Sequence, residues 1–147
     1  MTGTPPRSAR TMTAMPNYRQ IHTRMWSSDN WFTALRPEFK LLFIYLFSNA
    51  RASACGLYEL PMMNVPFETG LAMRQVIQGF EIFAQANKVK YDPKTSVVWV
   101  RNMYKYQASS SPKLAARIRA DIRAVPDCDL KAEALAYLID EMGMRLE

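Results

Sequence analysis

Leu71-Ala72-Met73-Arg74-Gln75-Val76-Ile77-Gln78-Gly79-Phe80-Glu81-Ile82-Phe83-Ala84-Gln85-Ala86 is the most regular stretch of the chain. Met73, Val76, Ile77, Phe80, Phe83 and Ala84 recur at helical spacing and define one apolar face, with Arg74, Gln75, Gln78 and Gln85 opposite. Gly70, just upstream, suits the turn that ends a short helix over residues 61–69, in which Pro66 must fall in the first turn or break it. Just downstream, residues 88–91 and 97–101 read as strands joined by Asp92-Pro93-Lys94-Thr95-Ser96, whose Asp-Pro pair and polar residues mark a hairpin turn.

Further upstream, Pro37 suits the first helical position and Glu38 the positive end of the helix dipole. Phe39, Leu42, Phe43, Leu46 and Phe47 carry that helix to about Ser48 with apolar groups around most of its circumference, as expected of a central core helix. Residues 55–60 read as a short strand, 18–23 as an extended arm or strand, and 29–35 as one helical turn. Helix, strand, helix, turn, helix, hairpin is the element order of a winged helix-turn-helix domain. The expected class is therefore mainly α with a small β-hairpin: a winged helix followed by two C-terminal helices. The first of these opens at Ser111-Pro112 and runs to about Ala124 with a stripe of Leu114, Ile118 and Ile122. The second spans residues 129–142, with Leu130, Ala134, Tyr137 and Leu138 on one side and Gly143 as its stop.

Three regions follow. Residues 1–16 lack apolar periodicity or a secretory core and are expected to be disordered, with Met15 an alternative start. Residues 17–107 form the winged-helix domain, and 108–147 hold a Ser-rich linker and the helical extension. The two C-terminal stripes are too narrow for a core of their own, so they must pack on the first domain, on each other across a dimer, or on a partner. The Ser-rich linker favours the latter two: a homodimer or partner contact through residues 112–142, with residues 15–107 binding DNA alone, more weakly.

Composition excludes much. At 147 residues the chain is expected to be one domain with at most a small appendage. Cys55 and Cys128 make no CxxC and no disulfide framework, and the single His22 leaves no basis for a His-rich metal cluster. There is no Walker-type phosphate loop, the carboxylates lack a paired motif, and the apolar run 41–47 is too short to span a bilayer. A non-enzymatic protein without cofactor or metal, off the membrane and in a reducing cytoplasm, is expected.

The charge points to a polyanion. The net charge is +6, yet residues 124–147 hold two bases against six acids, so the positive charge is concentrated upstream. Arg74, Gln75 and Gln78 lie in the first two turns of the 71–86 helix, where Arg and Gln can read guanine and adenine edges; the plainer reading is a solvated helix face. Lys88 and Lys90 alternate with Val89 and Tyr91, which puts both lysines on one strand face, with Lys94 at the hairpin tip. Together with Arg19, Arg101 and Lys105 they are the candidate phosphate contacts; an ordinary solvated hairpin is again the alternative.

The chain resembles the N-terminal domain of phage replisome organisers. The resemblance rests on Tyr18-Arg19-Gln20-Ile21-His22-Thr23 with Trp26, Leu41-Leu42-Phe43-Ile44-Tyr45-Leu46 with Asn49, and Cys55-Gly56-Leu57-Tyr58-Glu59. It continues through Phe67-Glu68-Thr69-Gly70-Leu71, Lys88-Val89-Lys90-Tyr91-Asp92, Val98-Trp99-Val100 and Asn102-Met103-Tyr104-Lys105-Tyr106-Gln107, covering about residues 17–125. That family is similar to DnaD-like primosomal proteins. The resemblance implies a winged helix that binds duplex or single-stranded DNA in replication initiation and recruits a replicative helicase or its loader, in the cytoplasm of a bacterial host at the nucleoid. A transcriptional regulator on the same fold, or a winged helix used only for protein assembly, are the alternatives. Pro66 and Ala72 depart from the family pattern, Ala72 standing where a capping residue is usual.

Overall fold

Val97-Val98-Trp99-Val100 is apolar without interruption, and the strand it forms is buried on both faces. A computed structural model describes residues 18–107 and 112–143; the 1–16 tail and the Ser111 cap lie outside the described residues. The strand, β3 (Val97–Val100), is central in a three-stranded antiparallel sheet of order β1-β3-β2, with β1 at Leu57–Glu59 and β2 at Val89–Asp92. Leu57 pairs with Trp99, and Val89 with Val100. Because side chains alternate along a strand, Val98 and Val100 enter one core while Val97 and Trp99 enter another.

The first core lies under the N-terminal helices: α1 (Arg24–Ser27), α2 (Asn30–Thr33), α3 (Pro37–Ser48), α4 (Asn64–Thr69) and α5 (Met73–Gln85). Local chemistry sets their ends. The Asp29 carboxylate accepts from the Phe32 amide at 3.0 Å and starts α2, while Pro37 is the first residue of α3. Pro66 falls in the first turn of α4, where its missing N–H does no harm, and Gly70 closes the helix at φ 80°. Ala72 offers no capping oxygen to α5. The Gln75 side chain instead reaches back to accept from the Ala72 amide at 2.9 Å, half of a capping box.

Helix α5 is rotated from the face the sequence predicts. Val76, Gly79, Phe80 and Phe83 are buried, whereas Ile77 is 49% exposed and Ala84 faces solvent. Gly79 is the reason: a Cβ there would stand 2.4 Å from Leu42 Cδ2 on α3, so α5 approaches α3 along its one side-chain-free position. Phe43 of α3 and Phe83 of α5 meet Trp31 in edge-on ring contacts at 5.2–5.7 Å, fixing α2 to the core.

The second core lies on the other face of the sheet, under α7 (Pro112–Arg123) and α8 (Asp129–Met142). Ile118, Ile122, Leu130, Ala134 and Leu138 close over Leu57, Val97 and Trp99. This corrects the division at residue 107. Residues 112–143 share a core with the sheet, so Ile118, Ile122, Leu130, Ala134 and Leu138 of the stripes assigned to a dimer or partner are covered within the chain. The uninterrupted apolar β3 already required a second cover, since a strand with one wet face alternates. Between the two cores, α6 (Met103–Gln107), a short helix the periodicity did not reveal, sends Met103 into the first and Tyr104 into the second.

Candidate nucleic-acid interface

The buried side of α5 determines what its outer side offers. With Val76, Phe80 and Phe83 turned inward, Arg74 and Gln78 project outward and bond no other described residue. Gln75 differs, because its carbonyl oxygen is engaged at the helix start, so it acts first as a cap. Ile77 lies exposed between Arg74 and Gln78, giving this outer surface an apolar element that sequence periodicity had assigned to the core.

The hairpin divides its cations. Lys90 faces α8 and pairs with Glu133, and Arg101 lies 4.5 Å over the Tyr137 ring of the same helix. Lys88 precedes β2 and turns the other way, its ammonium 5.1 Å over Trp31. The expectation that Lys88 and Lys90 share a face is therefore corrected: the strand begins only at Val89, and the face that receives Lys90 is roofed by α8. Lys94 is exposed at the tip, beside Asp92. The Thr95 hydroxyl and the Lys94 and Thr95 amides hold the Asp92 carboxyl below its ordinary range, so the tip also carries a negative charge.

The remaining candidates are dispersed. The Arg19 guanidinium donates to the Ala52 carbonyl and fastens the N-terminal arm to the loop after α3. Lys105 is exposed on α6, 5.9 Å over the Tyr104 ring. Thus Arg74 and Gln78 form one surface and Lys94 the hairpin tip, while Lys90 and Arg101 serve the contact with α8.

Other groups are structural. Tyr58 accepts from Asn49 Nδ2 at 2.9 Å and donates to the Leu46 carbonyl; burial raises its pKa. Burial likewise raises Cys55, whose thiol packs as a small apolar group. Among the described residues no cluster of three or more His, Cys, Asp or Glu could hold a metal, and no helix is long and apolar enough to cross a membrane. No family model matches the chain, and no match was found among curated proteins or solved structures.

Proposed function

We propose that the chain is a winged-helix DNA-binding protein that acts in replication initiation in the bacterial cytoplasm. The observation that carries this reading is the outer face of α5: Arg74 and Gln78 stand free in the first two turns of a helix that follows α4 across the Gly70 turn. In this assignment α4 and α5 are the helix-turn-helix, β2 and β3 the wing, and α5 the element that enters the major groove. Arg74 and Gln78 read base edges, and Lys94 contacts phosphate. The resemblance to replisome organisers supplies replication as the setting and a helicase or loader as the protein partner. Assembly without DNA is the second reading, favoured by the exposure of Met63, just before α4, and of Phe67 on it.

A salt series on duplex DNA separates the two readings. A DNA binder loses affinity steeply with salt, whereas an assembly module binds at none of the concentrations. Arg74→Ala and Gln78→Ala are each expected to weaken a preferred site by about 1–3 kcal/mol while sparing unrelated sequences. Lys94→Ala is expected to weaken all sequences alike and to reduce the salt slope by about one. Equal losses on every sequence for Arg74→Ala and Gln78→Ala would remove α5 from base reading.

A further inference from the structure

A concavity lies away from the outer face of α5. It is a cleft of about 500 Å³ between the N-terminal arm and the segment from Val100 to Tyr106, floored by Phe43 and Phe47 of α3. Its volume falls in the range of small-ligand sites. Its rim carries two cations on two aromatic rings: Arg24 5.7 Å over Tyr106, and Lys88 5.1 Å over Trp31. Neither cation pairs with a carboxylate among the described residues. The one acid in the lining, Asp29, is engaged as the cap of α2.

Amide groups complete the lining. Asn102 accepts from the Tyr137 hydroxyl at 3.3 Å, which leaves its NH₂ as a donor, and Asn30 stands exposed on the opposite wall. The walls are joined where His22 Nε2 meets the Tyr106 carbonyl at 3.3 Å. Through Tyr137, helix α8 also braces the cleft.

We infer that this cleft binds one phosphorylated nucleoside unit, free or within a single strand, with its base stacked on the Arg24–Tyr106 pair and its phosphate held by Arg24 and Lys88. A guanidinium lying over a ring presents its second face for stacking and keeps its edge N–H groups for phosphate. Asn30 and Asn102 supply hydrogen bonds to a base edge, and the apolar floor excludes water beneath it. A plain anion would leave the aromatic and amide lining unused, and a purely apolar ligand would bury two charges without partners. The inference does not rest on α5 as a base reader, because the two surfaces share no residue.

The test uses the full chain and three probes: a fluorescein-labelled oligothymidylate, unlabelled thymidine monophosphate and inorganic phosphate. Helix α1 buries none of its side chains, so Arg24→Ala is expected to melt with the wild type. Arg24→Ala is expected to weaken oligonucleotide binding about tenfold or more, the scale of one lost stacking contact. Arg24→Lys keeps the charge but not the planar stack and is expected to fall between. Asn102→Asp replaces the NH₂ donor to the base edge with a carboxylate and is expected to weaken binding at unchanged folding. Competition by thymidine monophosphate identifies the free nucleotide as a sufficient ligand, and binding of the oligonucleotide alone identifies a strand segment. Arg74→Ala is expected to leave both unchanged while losing its preferred duplex, so failure of either site is visible separately. The inference is overturned if neither nucleotide probe binds, if inorganic phosphate competes as well as the mononucleotide, or if Arg24→Ala and Asn102→Asp bind like the wild type.

Discussion

Single atoms decide how closely the layers of this protein approach. At Gly56 the backbone sits at φ 89°, and a Cβ would lie 2.3 Å from the Val100 carbonyl oxygen, a backbone atom of the central strand. At Gly79 the obstacle is the end of the Leu42 side chain, which can rotate. Gly79→Ala is therefore expected to destabilise by about 1–3 kcal/mol, the ordinary scale of overpacking, and Gly56→Ala by more, because it adds strain at positive φ. Denaturant midpoints for the two variants check that order; a Gly79→Ala variant less stable than Gly56→Ala would contradict it. Asp92 carries a second residue-level expectation. Hydrogen bonds, chiefly from the Thr95 hydroxyl, lower its folded pKa below the ordinary 3.8. Its contribution is present above the unfolded value and is lost as pH falls through the depressed folded one. Asp92→Asn is expected to lower the melting temperature near neutral pH and to converge with the wild type in acid, which flattens the acid limb of the profile.

At the level of elements, the sequence was informative where one residue or a strong period sets the answer. Pro37, Gly70, the Asp-Pro turn and Gly143 place helix ends and the hairpin within a residue or two of where they lie. The orientation of α5 was less legible, because periodicity counts Ile77 as core and Gly79 as nothing, whereas contact with α3 favours the smallest residue. The hairpin was misread for a related reason: alternation in β2 gives Lys90 an outward face, and only the packing of α8 shows that face to be covered. Of the candidate site, Arg74, Gln78 and Lys94 were legible as exposed polar positions. The cleft was not, because its walls come from segments far apart in sequence. The Lys90–Glu133 pair is half exposed, so Glu133→Gln is expected to cost at most about 1 kcal/mol in a thermal melt. The same change frees Lys90, and on the DNA-binding reading it is expected to steepen the salt dependence of duplex affinity by about one phosphate contact.

For the whole molecule, the sheet shared by two cores changes what truncation does. A chain ending at residue 107 uncovers Leu57, Val97 and Trp99, which are almost completely buried when α7 and α8 are in place. It is expected to bind a hydrophobic dye, lose near-ultraviolet dichroism and aggregate, in place of the self-sufficient DNA-binding domain that the Ser-rich linker suggests. A truncated chain that unfolds cooperatively and stays monomeric would show the second core to be dispensable. The position of β3 also has a kinetic meaning. β1 has no partner strand until α4, α5 and β2 have been made, and its only neighbour in the sheet is the last strand of the three. On the ribosome, an apolar Leu57 and Tyr58 must therefore wait unpaired through that interval, and closure of so long a loop slows refolding in free solution. Once β3 arrives, the first core has every strand and nearly every residue it needs, whereas the second must still wait for α7 and α8, so the two halves mature in chain order on the ribosome.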